Sequence, residues 1–98
     1  MIRDLNNGKS LCGVFGLAAN TVKTVDVPDD AKGVKIYSND CSYYYGINEE
    51  PQIGSNVLGK GAFGILGIME QRILQDGVKR TLKFQSQTGG SVLVEFWG

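Results

Sequence analysis

Apolar and polar residues alternate with a period of two through much of the chain, the pattern of strands buried on one face. Residues 21–27, TVKTVDV, are rich in β-branched side chains, and Pro28-Asp29-Asp30 closes the run with a turn signature. Residues 32–38, KGVKIYS, set Val34 and Ile36 on one face and Lys35 and Tyr37 on the other, before Asn39-Asp40 turns the chain again. In residues 41–47, Tyr43, Tyr45 and Ile47 share a face, which leaves Tyr44 and Gly46 outside. Residues 81–86 point Leu82 and Phe84 inward, and residues 92–97 alternate Val92, Val94 and Phe96 with Leu93, Glu95 and Trp97. Between these last two runs lies Thr88-Gly89-Gly90, a tight-turn signal that predicts a hairpin.

Two stretches are less regular. Residues 48–61, NEEPQIGSNVLGKG, are polar and glycine-spaced and read as the longest loop. Residues 62–74, AFGILGIMEQRIL, carry Ile65, Ile68, Met69 and Ile73 at helical spacing, with Asp76-Gly77 as a stop. Gly64 and Gly67 each cost a helix about 1 kcal/mol relative to alanine, so strand is favoured there. An internal comparison supports an all-β reading: residues 25–38, VDVPDDAKGVKIYS, and residues 73–86, ILQDGVKRTLKFQS, share a strand, an acidic turn and a second strand. The comparison pairs Val34, Ile36 and Ser38 with Leu82, Phe84 and Ser86, and predicts two similar sheets packed face to face. The fold class expected is an all-β, antiparallel, jelly-roll-like β-sandwich in a single domain spanning residues 1–98.

Residues 1–20 supply an N-terminal arm and the first strand. Gly8, Gly13 and Gly16 raise the entropy lost on ordering this segment. Residues 1–9 are expected to order against a neighbouring subunit or a capsid, with Leu11, Val14, Phe15 and Leu17 anchoring them to the domain. The apolar run at residues 11–19 is short and twice broken by glycine, and so is read as no signal peptide. No segment approaches the about 20 apolar residues of a membrane span.

Composition narrows the chemistry. The 98 residues are 42% hydrophobic and 20% charged, with 14 glycines and 2 prolines, which is globular and turn-rich. A chain of this length has little surplus burial, so association would stabilise it. Ten basic residues balance ten acidic ones, giving no electrostatic reason to bind nucleic acid or anionic lipid. Histidine is absent, which removes the common catalytic triads, and Cys12 and Cys41 alone do not complete a zinc site. Those two thiols read as a pair of small buried side chains or as a disulfide. Residues 59–64, GKGAFG, match G-x-G-x-x-G formally but lack the strand-loop-helix setting, and so read as a glycine-rich loop before a strand. Asp29 with Asp30 and Glu49 with Glu50 could serve as acid–base pairs or calcium ligands, yet each pair sits in a turn and reads as solvated loop charge. No cofactor and no enzymatic activity are expected.

The segments VDVPDDAKGVKIYSND, CSYYYGI and VKRTLKFQSQTGGSVLVEFWG together resemble small tailed-bacteriophage virion proteins of the head decoration or cement type. The resemblance runs from Thr21 to the end of the chain and leaves residues 1–20 unmatched. It implies a jelly-roll-like structural protein, made in the host cytoplasm, that sits on the virion and bridges neighbouring copies of the major capsid protein or another virion protein, itself as a homo-oligomer. Neither nucleic acid nor membrane is an expected partner. The alternative is a carbohydrate- or receptor-binding module built on Tyr44, Trp97 and residues 48–61, since aromatic rings suit either a sugar or a protein contact. Candidate interface residues are Ile2, Arg3, Leu5, Tyr44 and Trp97.

Overall fold

The computed structural model describes residues 10–53, 58–74 and 80–98. Their strands, in chain order, are β1 (Ser10–Leu17), β2 (Lys23–Asp26), β3 (Gly33–Tyr37), β4 (Tyr43–Ile47), β5 (Ala62–Gly64), β6 (Glu70–Ile73), β7 (Thr81–Gln85) and β8 (Gly90–Trp97). No helix occurs among the described residues, so none is long and apolar enough to cross a membrane. The strands form two antiparallel sheets of four, ordered β1-β8-β3-β6 and β2-β7-β4-β5. One core joins them, with Val34, Ile36, Val92, Val94 and Phe96 from the first sheet and Val25, Tyr43, Tyr45, Leu82 and Phe84 from the second.

The pairing has a simple origin. β1 pairs with β8, β2 with β7, β3 with β6 and β4 with β5, so the strands of the two halves of the chain lie side by side as one antiparallel ribbon. Successive pairs alternate between the sheets, and β3 also pairs with β8 and β4 with β7. The two similar segments of the sequence are opposite limbs of this ribbon. Each contributes one strand to each sheet, rather than building a sheet of its own. Their matched positions are buried alike: Val34, Ile36 and Ser38 on one limb, Leu82, Phe84 and Ser86 on the other.

Three expectations are corrected. β7 and β8 are not a hairpin, because they lie in different sheets and Gly89 (φ 78°) and Gly90 (φ 145°) carry the chain across the core between them. Alternation reports which side chains face inward, and it reads the same whether the next strand is a ladder partner or lies across the core. Val14 does not anchor the first strand: Leu11, Phe15 and Leu17 face the core, and the period of two turns Val14 out, 68% exposed. Cys12 and Cys41 are both free thiols, and Cys41 is buried as expected, but the period of two in β1 turns Cys12 out to solvent. In residues 62–74 the strand reading holds at the two ends, β5 and β6, with a turn between them. The arm expected at residues 1–9, with Ile2, Arg3 and Leu5, and the stop at Asp76-Gly77 lie outside the described residues.

A crossing between sheets interrupts the ladders, and at three of the described crossings freed polar groups find side-chain partners. Where β2 crosses to β3, the buried Arg80 on the opposite limb donates to the carbonyl oxygens of Ala31 (2.9 Å), Pro28 (3.1 Å) and Asp29 (3.0 Å). At the other end of the core, Ser38 and Ser86 repeat one device. The N–H three residues on, of Cys41 or Gly89, donates to the serine hydroxyl at 3.1 and 3.2 Å. Each hydroxyl also lies within reach of a carbonyl on the neighbouring segment, Ser91 at 2.7 Å and Ser42 at 3.0 Å. Asp40 adds a carboxylate that accepts from the Ser91 N–H (3.0 Å) and the Ser91 hydroxyl (3.1 Å), with the Ser38 hydroxyl 3.0 Å away. Those donors, the Ser91 N–H first and the Ser38 hydroxyl next, hold the Asp40 carboxyl below its ordinary value of 3.8.

Two outcomes follow for stability. Arg80→Lys keeps the charge but loses the planar fork that reaches three carbonyls, and should lower the unfolding free energy by about 2–3 kcal/mol in urea titration. Asp40 has a lowered pKa in the folded state, so its contribution is present above its unfolded value and lost as pH falls through 3.8 toward the folded value. Asp40→Asn should therefore lie below the parent in urea midpoint near neutral pH, and the gap should narrow in titrations run progressively below pH 3.8. A gap independent of pH would show that the carboxylate charge is not what holds this turn.

Candidate functional site

β5 and β6 are the edge strands of their sheets on one flank of the molecule, and residues 65–69 connect them. Tyr45, inward from the second sheet, reaches across this flank to the first. Its hydroxyl donates to Glu70 Oε1 (3.0 Å) and accepts from Arg72 Nε (2.7 Å), and the Arg72 guanidinium carbon stands 5.8 Å from the ring centroid. Burial raises the Tyr45 pKa, and the bond to Tyr45 raises that of Arg72. Tyr43 packs beside it, with ring centroids 6.0 Å apart, and its ring fills the space that a Cβ on Gly64 would need. The Tyr43 hydroxyl is buried with no hydrogen-bond partner among the described residues, and that burial raises its pKa strongly.

Residues 65–69 leave the flank as a held turn. The Ile68 N–H donates to the Ile65 carbonyl (3.0 Å), and Gly67 sits at φ 82°, as the third residue of a type II turn requires. The Gly67 N–H donates to the Ser38 carbonyl (2.8 Å) and the Leu66 N–H to the Ser42 hydroxyl (3.3 Å), which fasten the turn to the crossing between β3 and β4. The side chains so fixed are apolar and face solvent: Phe63, Ile65, Leu66, Ile68 and Met69 are each 47–55% exposed. Soluble monomers rarely leave so many large apolar groups together on the surface.

Beside this strip, Phe63 on β5 stands opposite Tyr44 on β4, with ring centroids 4.9 Å apart. The two rings, with Gln52, Leu58 and Lys60, line a cleft of about 340 Å³, and the backbones of Gln52 and Lys60 exchange hydrogen bonds of 3.0 and 2.9 Å across its wall. Gly59 and Gly61 belong to the loop that leads into β5, and no helix follows them.

Tyr44 faces outward as the alternation requires. Trp97 also faces outward, but from the other sheet: its ring lies over Gly33 and near Lys35, whose Nζ is 5.9 Å from the ring centroid and 3.9 Å from Glu95. Tyr44 and Trp97 therefore occupy opposite outer faces and cannot line one pocket. Ile2, Arg3 and Leu5 lie outside the described residues. Asp29, Glu49 and Glu50 are exposed residues between strands, and among the described residues no three His, Cys, Asp or Glu side chains cluster to hold a metal. The partner of Tyr44, Phe63, was not singled out by the sequence pattern, and neither was the exposure of its neighbours. The signal present was that residues 62–69 contain no polar side chain, while Gly64 and Gly67 deny them a regular buried face.

No protein family, curated protein or solved structure matches the chain.

The two tyrosines of the flank should respond in opposite ways to loss of the hydroxyl. Tyr43→Phe removes a buried group that has no partner, and should leave stability unchanged or raise it by up to about 1 kcal/mol. Tyr45→Phe removes two hydrogen bonds between the sheets, and should lower it by about 1–2 kcal/mol in the same denaturant titration.

Proposed function

We propose that this chain is a non-enzymatic structural protein of a virion, a jelly-roll-like sandwich that decorates or cements a capsid by bridging neighbouring capsid subunits. The strand orders β1-β8-β3-β6 and β2-β7-β4-β5 support the jelly-roll reading, because they are those of an eight-stranded ribbon rolled so that successive pairs alternate between two sheets. The observation that carries the assembly role is the strip at residues 63–69. Its turn is fastened at both Leu66 and Gly67, so its backbone is already held before any partner arrives and little backbone entropy is lost on binding. Covering the exposed half of each such side chain contributes on the order of 1 kcal/mol. A contact of that size suits a protein held in many copies on a repeating lattice. The capsid as partner rests on the sequence resemblance.

A second reading, a carbohydrate- or receptor-binding module, draws on the Tyr44–Phe63 cleft, where two aromatic rings stand beside the polar Gln52 and Lys60.

Purified particles should carry the protein on their outer surface in electron micrographs labelled with an antibody against it. Particles stripped of it should rebind the parent protein, and should retain Ile68→Lys/Met69→Lys at least about tenfold less well. Equal retention of the two proteins would remove the strip from the contact. Specific binding on a glycan array, abolished by Tyr44→Ala, would favour the second reading instead.

A further inference from the structure

Among the described residues, four strands lie at the edges of the two sheets: β1 and β6 in the first, β2 and β5 in the second. An open edge offers unpaired N–H and C=O groups to any other strand, and folded proteins guard such edges with charge, proline or short length. Three of these edges are guarded. β2 carries Lys23 and Asp26, β6 carries Glu70 and Arg72, and β5 is 3 residues long. β1 is 8 residues long, SLCGVFGL, without charge or proline, and among the described residues nothing pairs with its outer edge.

We propose that β1 is the interface of a two-fold symmetric homodimer, in which the β1 strands of two copies pair antiparallel about Val14 and join their first sheets into one. The register follows from the strand's own pattern. A dyad perpendicular to the sheet keeps the core-facing residues of both copies on the same side, so the dyad must pass through a residue and not between two. Centring it on Cys12, Phe15 or Gly16 shortens the overlap, and centring it on Gly13 sets two glycines face to face. Centring it on Val14 uses residues 11–17 of each copy. Leu11 then faces the second copy's Leu17, Gly13 faces its Phe15, and Val14 faces its Val14.

Two features of the surface fit a second copy as the occupant. A cleft of about 250 Å³ opens beside Gly13 between β1 and β2, lined by Leu11, Phe15, Val25, Val94 and Phe96, and this register points an aromatic ring toward it from the second copy. On the outer face, Val14 stands beside Leu93 and Leu93 beside Tyr37, a row in which Val14 and Leu93 are 68% and 42% exposed. The second copy continues that row through its own Val14. The proposal is independent of the strip at residues 63–69, which lies on the opposite flank.

Sedimentation velocity of the full chain over a concentration series should show a monomer–dimer equilibrium. Val14→Lys, at an exposed position, sets two like charges opposite each other at the dyad and should weaken the dimer by about tenfold or more. Val14→Cys in a Cys12→Ser background should give a covalent dimer under a mild thiol oxidant, while the parent, whose Cys12 faces Gly16, should not. This cross-link reports the register even if the lysine variant misfolds. A chain that stays monomeric at millimolar concentration, or a dimer that Val14→Lys leaves intact and Ile68→Lys dissociates, would overturn the proposal. So would dimerisation that appears only after deletion of residues 2–9, since those residues would then cover β1 in the full chain.

Discussion

The Arg80 guanidinium bound to three carbonyls of the turn at residues 28–31 is the interaction on which the architecture depends. A ribbon that passes from one sheet to the other must leave its ladder at the crossing, and here the crossing is buried, with Pro28 and Ala31 closed off from solvent. Buried carbonyls without donors would cost about 1–3 kcal/mol each. The opposite limb supplies one backbone donor here, the Leu74 N–H to the Lys32 carbonyl (2.9 Å), and the carbonyls of Pro28, Asp29 and Ala31 receive a side-chain donor. A guanidinium suits that role, since it brings several N–H groups to one place from a single residue. The carbonyl dipoles that it satisfies face its charge, which favours an arginine in this buried place.

The opposite end of the core solves the same problem with two serine hydroxyls and a carboxylate. Ser38 and Ser86 each accept from the N–H three residues on, so each limb closes its own turn, and Asp40 ties the Ser38 turn to β8 through Ser91. The crossing from β5 to β6 differs because it joins the edge strands of the two sheets on one flank. The segment between β3 and β4 supports it from within, through the Ser38 carbonyl and the Ser42 hydroxyl, but no described segment covers it from without. Its backbone is satisfied and its side chains are left in water. The apolar strip is thus a consequence of where the ribbon's limbs run out of partners.

Much of this was legible from alternation alone. The inward faces of β3, β4, β7 and β8 follow from Val34 and Ile36, Tyr43 and Tyr45, Leu82 and Phe84, and Val92, Val94 and Phe96, and the matched serines at positions 38 and 86 mark equivalent ends. What alternation does not contain is the identity of the hydrogen-bonded neighbour, so the β7–β8 connection read as a hairpin. Val14 shows a second limit: an apolar side chain in an apolar strand was assigned inward on composition, although the period of two already placed it outside. Exposure of residues 63–69 was hidden because an apolar residue carries the same signature whether its partner is its own core or another molecule.

Glycine had two uses that the sequence does not separate. Gly67, Gly89 and Gly90 supply positive φ in turns, whereas Gly33 and Gly64 lie inside strands and make room for the rings of Trp97 and Tyr43. The first of these rings lies on the outer face of one sheet, and the second fills the core at the flank where β5 ends. That flank and the one formed by β1 and β2 are at opposite ends of the strand order. A protein that bridges neighbours needs separated contact surfaces, whereas a module that holds one ligand needs convergent ones. Pairing through β1 would leave the two strips at the far ends of the dimer, each free to meet a different subunit, and the wide separation of Tyr44 from Trp97 argues in the same direction.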